Sequence, residues 1–565
     1  MHRHHLPIQL YLEAERERFP VLSDLWTAYA SSDPRLAPFF AHRLGDWASV
    51  VETRRRTPAK PLNEAAVEEL RRANAQWGVA SRVVERAALL ASPDTRVIAT
   101  GQQAGLLGGP LYTLYKTMAV VRWADRIERD LGLPVLPVFW VASEDDDFDE
   151  IRSFRWQDAE GRQKEYRYLP SDLRPGTPIH DIPIEPHLRN DLAQIFSQVR
   201  PTEFTADLAK RVGDIAAAAH DLETFFIHIL AWLLADRAPL FVSPRMSWVR
   251  QGATTLIERE LTRPGESSHC IIETGKRLRD LGFPPQVSRR PGHINCFFYR
   301  DGLRHKVFVN DERMETIEPT GKRRTADAAQ LQAQLTSNPA SFGFNVVTRS
   351  IAQDYLLPTL AYVAGPGEMA YLAQMRGVYE FFGATMPMIL PRPQVCLVEP
   401  RVERALSKIG LSAELTVVCP AGQIDSLLQH AHRQSPMEER LTAARVHLSE
   451  ALAFIGSQVD LSDPAVARAF GKLQDAAITG VRKLAERQRS ASLAHDAETA
   501  GAATTIRDLL WPDGLRQERA LTVFFPFLNL FGTPLVQRLM EAIRLDTSGV
   551  QPIVLSSLMS GERKP

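Results

Sequence analysis

At 565 residues the chain is too long for one hydrophobic core, so roughly two to four domains are expected. Hydrophobic residues make up 44% and charged residues 24%, the balance of an ordinary soluble globular protein. The 67 basic and 67 acidic residues cancel, so no net field steers the chain to nucleic acid or to an anionic membrane. Cys270, Cys296, Cys396 and Cys419 form no CxxC pair, which points to a reduced, cytoplasmic protein. No apolar h-region follows the histidine-rich start at Met1–His5, and no apolar run reaches membrane-spanning length.

In chain order, the first ninety residues read as helical, with Leu70, Trp77, Val84 and Leu89 at helical spacing. An apolar run at Arg96–Ala99 then leads into a glycine-rich loop, Thr100 to Tyr112. A helical segment follows, Leu111 to Leu131. A second apolar run, Val138–Ala142, leads into an acidic loop, Ser143 to Glu150. This is a strand–loop–helix–strand unit, and open α/β sheets bind ligands beyond the carboxyl ends of their strands. The carboxylates of the acidic loop repel one another, so a cation, an amine or a polar substrate is expected beside them.

A polar stretch from Ser153 to Pro201 reads as an insertion with small strands. Leu208, Val212, Ile215, Leu222, Phe226, Ile229 and Leu233 then describe one long amphipathic helix feeding a strand at Pro239–Val242. A second insertion holds a hairpin, Cys296–Arg300 and Leu303–Val309, turned by Asp301-Gly302 in the type I′ manner. Strands at Leu360–Val363 and Met386–Leu390 resume the α/β pattern, and Pro387 marks the last as an edge strand. From about Val402 the pattern is helical. Two approximate heptad runs, Met437 to Val459 and Val466 to Leu484, suggest a coiled-coil hairpin, with Asp463 as N-cap and Pro464 as the first residue of its second helix. The domain boundaries are therefore a core over 1–400 with insertions near 153–204 and 262–340, a helical coiled-coil domain over 401–508, and a segment over 509–565 that packs back on the core.

Among the motifs, Gly365-Pro366-Gly367-Glu368-Met369-Ala370 fits a dinucleotide-type glycine turn, although Arg392 stands where an acidic ribose ligand is usual. This keeps a nicotinamide-dependent oxidoreductase open as an alternative, and the coiled coil keeps open a non-catalytic dimeric scaffold. No P-loop, G-x-S-x-G or H-E-x-x-H motif occurs. His293 and Cys296 lack a second ligand pair at zinc spacing, so a hairpin-edge histidine and a buried cysteine are expected. Gln102 and Gln103 offer uncharged donors and acceptors to a polar ligand, Gly101 permits close backbone approach, and Lys116 adds a cation one turn into the helix. Glu144 and Asp145 come directly after their strand, where carboxylates could hold Mg²⁺, bind an ammonium or act as a general base.

Taken together, Thr100–Leu106 with Gly109–Thr113, Phe139–Asp145, Gln353–Pro358, Ala361–Glu368 and Gln517-Glu518-Arg519 resemble the bacillithiol biosynthesis cysteine-adding enzymes over nearly the whole chain. The family pattern reads Ser-Glu-Asp-His-Asp-Phe in the acidic loop, and Asp146 takes the histidine position here. The resemblance implies a Rossmann-like, nucleotidyl-transferase-type α/β core with two connecting insertions, plus an α-helical coiled-coil domain that supports a homodimer. It also implies ligation of L-cysteine to the amine of glucosaminyl-malate, with ATP as the expected co-substrate and Mg²⁺ a candidate companion. No HIGH-type or KMSKS-type element is evident, and Thr320–Thr325 is the nearest basic loop. The candidate site then comprises Glu144 and Asp145 as catalytic groups and Gln102, Gln103, Tyr112, Lys116, Tyr362, Glu368 and Arg392 as substrate contacts. Gly101, Gly365 and Gly367 are candidate cofactor contacts, and no metal ligands are assigned.

Overall fold

The computed structural model describes residues 24–57, 60–310, 313–417, 436–459, 463–495, 497–545 and 549–560. Two compact units emerge. One joins the described residues up to Val395 with Glu518–Gln551, and the other runs over Cys396–Gln517 with the segment from Pro552.

The first unit is built on strands β1 (Arg96–Gln102) and β2 (Val135–Val141), linked by the Leu111–Leu131 helix. That helix ends where Gly132 turns left-handed at φ 64. The first insertion contributes the hairpin β3 (Ser153–Gln157) and β4 (Gln163–Arg167), and β5 (Leu240–Val242) returns to the sheet. The second insertion is an antiparallel sheet of β6 (His293–Arg300), β7 (Leu303–Asn310), β8 (Arg313–Ile317), β9 (Arg323–Ala326) and β10 (Phe342–Phe344), in the order β10-β6-β7-β8-β9. Strands β11 (Thr359–Ala364) and β12 (Met388–Pro391) complete the main sheet.

The main sheet runs β12-β11-β1-β2-β5, all parallel. Parallel strands need cover on both faces. The interiors of β1, β2 and β11 are accordingly apolar and almost wholly buried. Counting the parallel strands along the chain, the order is 3-2-1-4-5, a Rossmann-type half with its topological switch between β1 and β11. The edge position of β12, beginning just after Pro387, agrees with the sequence expectation. So does the hairpin turn, where Asp301 (φ 54) and Gly302 (φ 75) are both left-handed.

The single long helix expected from Leu208 to Leu233 is instead two, Thr205–Ala218 and Leu222–Leu234. Asp221 stops the first and caps the second. It accepts a hydrogen bond from Thr224 N at 2.7 Å, while its own N–H donates to Thr224 Oγ1 at 3.2 Å. The apolar positions stay in phase across the break, so periodicity alone hides it. The segment after Glu518 packs within this unit: Leu111 N donates to Leu521 O at 2.8 Å, and Phe525 lies 5.2 Å from the Phe196 ring. Residues 509–517, expected to do the same, belong to the second unit.

In the second unit, helices Pro436–Ser457 and Pro464–His495 form a hairpin in which Phe470 packs on Gly456, leaving no room there for a Cβ. Asp463 Oδ1 accepts from Ala465 N at 2.7 Å and Val466 N at 3.3 Å, the cap expected from the sequence. The side chains of the predicted heptad positions Met437 and Leu441 lie outside the described residues. Replacing Asp463 with Ala should cost about 1 kcal/mol of hairpin stability, read as a lower urea midpoint of helical circular dichroism. An unchanged midpoint would show that the helix needs no cap there.

Candidate active site

The switch point between β1 and β11 brings together residues far apart in the chain. Lys116, 1% exposed, donates to Gly101 O at 2.5 Å, Gln102 Oε1 at 3.1 Å and Glu368 Oε2 at 2.6 Å. Tyr362 OH donates to Glu368 Oε1 at 2.8 Å, and Gly365 N–H to Glu368 Oε2 at 2.8 Å. Burial pulls the Lys116 amine down to about 8 against the opposing pull of Glu368. Burial would raise Glu368, yet Lys116, the Gly365 N–H and Tyr362 hold it below the usual carboxylate range.

Three expectations change here. Lys116 is an interior cation tied to the backbone of β1. The Gly365 turn is closed by its own Glu368, so its N–H is not presented to a phosphate, and Gly367 stands exposed with nothing near it. Arg392 is buried in a two-pronged pair with Glu518, Nη1 to Oε2 and Nη2 to Oε1 both at 2.8 Å. Its guanidinium fork is therefore committed within the fold. Tyr112 lies between the guanidinium groups of Arg392 and Arg519, at 5.6 and 5.7 Å, and its OH accepts from Gln102 Nε2 at 3.4 Å.

The glycine-rich and acidic loops meet: Gln103 Nε2 donates to Asp145 Oδ2 at 2.7 Å. The cations that relieve the acidic loop come from the second insertion and its approach. Arg250 Nη1 lies 2.6 Å from Glu144 Oε1, and Tyr299 OH donates to the same oxygen at 3.1 Å. Phe344 N–H donates to Glu144 Oε2 at 3.1 Å. Arg304 Nη1 reaches Asp145 Oδ1 at 3.2 Å and Asp146 Oδ1 at 2.5 Å. Glu144, 4% exposed, is thus occupied by three donors, whereas Asp145, which accepts from Gln103, Arg304 and the Asp146 N–H, remains partly exposed. Asp146 serves as an ion-pair partner of Arg304. Burial, then repulsion from neighbouring acids, holds Asp147 and Glu150 above the ordinary carboxylate range.

Beside this loop, beyond the carboxyl ends of β2 and β5, lies a cavity of about 720 Å³. Arg289, Arg304, Lys306, Arg323 and Arg349 line it, with Asp145 on its acidic side. Burial pulls His293, also in the wall, down to about 3, so the positive charge belongs to the arginines and the lysine. Arg349 Nη2 donates to Tyr371 OH at 2.9 Å, while Nη1 is buried with no hydrogen-bond partner. Gly101 makes this possible: a Cβ there would sit 3.0 Å from Arg349 Nη1 and 2.7 Å from Trp140 O. A cavity of this kind can hold a ligand with two or more anionic groups. Arg323 belongs to the basic loop Thr320–Thr325 noted in the sequence, whereas nothing there marks Arg289, Arg304 and Arg349 among the chain's other basic residues. Among the described residues no group of three His, Cys, Asp or Glu side chains is placed to share a metal ion, and no helix is long and apolar enough to cross a membrane.

Residues 11–393 match the profile of the family described as "Bacillithiol biosynthesis BshC, N-terminal Rossmann-like domain", and residues 395–547 match its C-terminal coiled-coil domain. Three relatives share the name "Putative cysteine ligase BshC". The Salinibacter ruber protein is 29% identical over 94% of this chain and 96% of its own length. The Prosthecochloris aestuarii protein is 30% identical over 85% and 86%. The Geobacillus thermodenitrificans protein is 30% identical over 82% and 85%.

The Lys116 amine should titrate with a midpoint near 8 in an NMR titration of lysine side chains, well below the ordinary 10.5. Between these values the folded protein holds fewer protons than the unfolded chain, so this group makes stability rise with pH across that window. Glu368→Gln should move the midpoint lower still, because it removes the charge that favours the ammonium. An upward movement would mean that Glu368 does not act on Lys116.

Proposed function

The chain belongs to the bacillithiol biosynthesis BshC family, and from that premise we propose that it is a cytoplasmic ligase joining the carboxyl of L-cysteine to the sugar amine of glucosaminyl-malate. The observation that carries the reading is the cationic cavity lined by Arg289, Lys306 and Arg349, with the Asp145 carboxylate on its acidic side. Malate brings two carboxylates, which suit Arg289, Lys306 and Arg349. The glucosamine amine would then lie toward Asp145, with Gln102 and Gln103 within reach of sugar oxygens.

At neutral pH that amine is largely protonated, and it attacks a carbonyl only after losing a proton. Asp145 binds the ammonium and takes the proton as the C–N bond forms and the leaving group departs from the cysteine carboxyl. Glu144 holds the inserted sheet in place. ATP is the proposed activator of the carboxyl, and its Mg²⁺ takes ligands mainly from phosphate and water, with one or two carboxylates.

We further propose a homodimer formed through the helical hairpin. Leu452 is buried within it, yet Ile455 (41%), Leu473 (49%) and Leu484 (61%) are exposed along the apolar stripe. Soluble proteins rarely leave such a row open to water.

Asp145→Asn should fold normally and slow single-turnover ligation by about 10²–10⁴. Near wild-type rates in a folded Asp145→Asn protein would remove Asp145 as the proton acceptor. Glu144→Gln should instead lower thermal stability, because it leaves Arg250 buried without its counter-charge. Ile455→Asp with Leu473→Asp should convert the dimer to a monomer by light scattering while keeping its helical signal. A dimer that persists would place the interface elsewhere.

A further inference from the structure

The stretch His293-Ile294-Asn295-Cys296 has no place in the proposed chemistry, yet its asparagine is the most fully engaged amide beside the cavity. Asn295 is wholly buried on β6. Its Oδ1 accepts from Arg289 Nε at 2.8 Å and from Asn345 Nδ2 at 3.0 Å. Its Nδ2 donates to Ser267 Oγ at 2.8 Å and Ser268 Oγ at 2.9 Å, and its backbone N–H donates to Glu260 Oε2 at 2.6 Å. Every hydrogen-bonding position of the side chain is therefore filled.

The two groups on Oδ1 both lead to the cavity. Arg289 lines it directly. Asn345 caps the Val346–Leu356 helix, its Oδ1 accepting from Val347 N at 2.9 Å and Thr348 N at 3.2 Å, and Arg349 is the next residue of that helix. One carbonyl oxygen thus aims a guanidinium from the loop before β6 and fixes the start of the helix carrying a second. The two serines and Glu260 fix that oxygen in turn, from the Glu266–Asp280 helix and from the Thr254–Thr262 helix.

We infer that Asn295 is a positioning residue that sets the spacing of Arg289 and Arg349, and so the cavity's selectivity for a dicarboxylate. This rests on the reading of the cavity as the site of the malate moiety. A guanidinium free to swing would still attract anions, but it would lose the fixed separation that two carboxylates on one short carbon chain require.

The test is calorimetric titration of L-malate and of acetate into the full-length wild-type protein and four variants: Asn295→Ala, Arg289→Ala, the double variant and Asn345→Ser. Asn295→Ala should weaken malate about tenfold, the scale of a lost charge-assisted hydrogen bond, while acetate changes less than threefold. In the Arg289→Ala background the same change should have a smaller effect, because the Arg289 contact is already gone and only the one to Asn345 remains to be lost. Asn345→Ser keeps a capping oxygen and removes the link to Asn295; because Asn345 also lines the cavity, the deciding readout is malate weakened more than acetate at unchanged melting temperature, and it decides the matter should Asn295→Ala fail to fold. Additive losses from Asn295→Ala and Arg289→Ala, or equal losses for malate and acetate, would overturn the inference. Wild-type protein that binds no malate would overturn the assignment of the cavity itself and the inference with it. Malate binding untouched in Asn295→Ala, or in folded Asn345→Ser where the first variant is lost, would overturn the inference alone.

Discussion

The buried pair of Glu144 and Arg250 joins the end of the core sheet to the second insertion. Glu144 belongs to the carboxyl end of a core strand, and Arg250 stands at the entrance to the second insertion, stacked between the rings of Tyr299 and Phe344 at 5.8 Å from each. Removing two charges from water is costly, and the pair is tolerable only because Tyr299 OH and Phe344 N–H satisfy the remaining carboxylate lone pairs. The contact also dictates its neighbours. At Gly343 an added Cβ would meet Tyr299 OH at 2.4 Å and Glu144 Oε1 at 2.6 Å, so the insertion can approach this closely only on a glycine.

The same logic divides the acidic loop by function. Arg250 and Arg304 meet the repulsion at Glu144, Asp145 and Asp146 and Arg152 meets it at Asp149, while Asp147 and Glu150 still feel their acidic neighbours. Arg304 pairs with Asp145 and Asp146 together, and Gln103 fixes the second oxygen of Asp145 at the cavity wall. At the switch point, Lys116 and Glu368 form a second closed network around the end of β1. The two networks share the glycine-rich loop, through Gln102 on one side and Gln103 on the other.

Much of the core was legible in the chain. The β1–helix–β2 unit, the Asp301-Gly302 hairpin, the edge strand after Pro387 and the cap at Asp463 each depend on local chemistry that a short window contains. Asp221 was not legible as a helix break, because its apolar neighbours kept the helical period on both sides. The convergence of the two loops followed from their positions at strand ends. Their partners did not: Arg250, Arg304 and Arg349 come from segments whose placement depends on the tertiary path of an insertion. For the same reason Arg392, read as a ligand contact from its place after a strand, proved to face Glu518.

The sequence separations across the Glu144 anchor bear on how the chain emerges from the ribosome. Arg250 is made 106 residues after Glu144, Arg304 159 residues after Asp145, and Phe344 200 residues after Glu144. During that interval the nascent acidic loop has neither its counter-charges nor its backbone donor. Contacts of such long range carry a large loop-closure entropy and form late. The cavity is therefore among the last parts of the core to close, so a truncated translation product can carry the β1–β2 unit and still lack the cavity's walls.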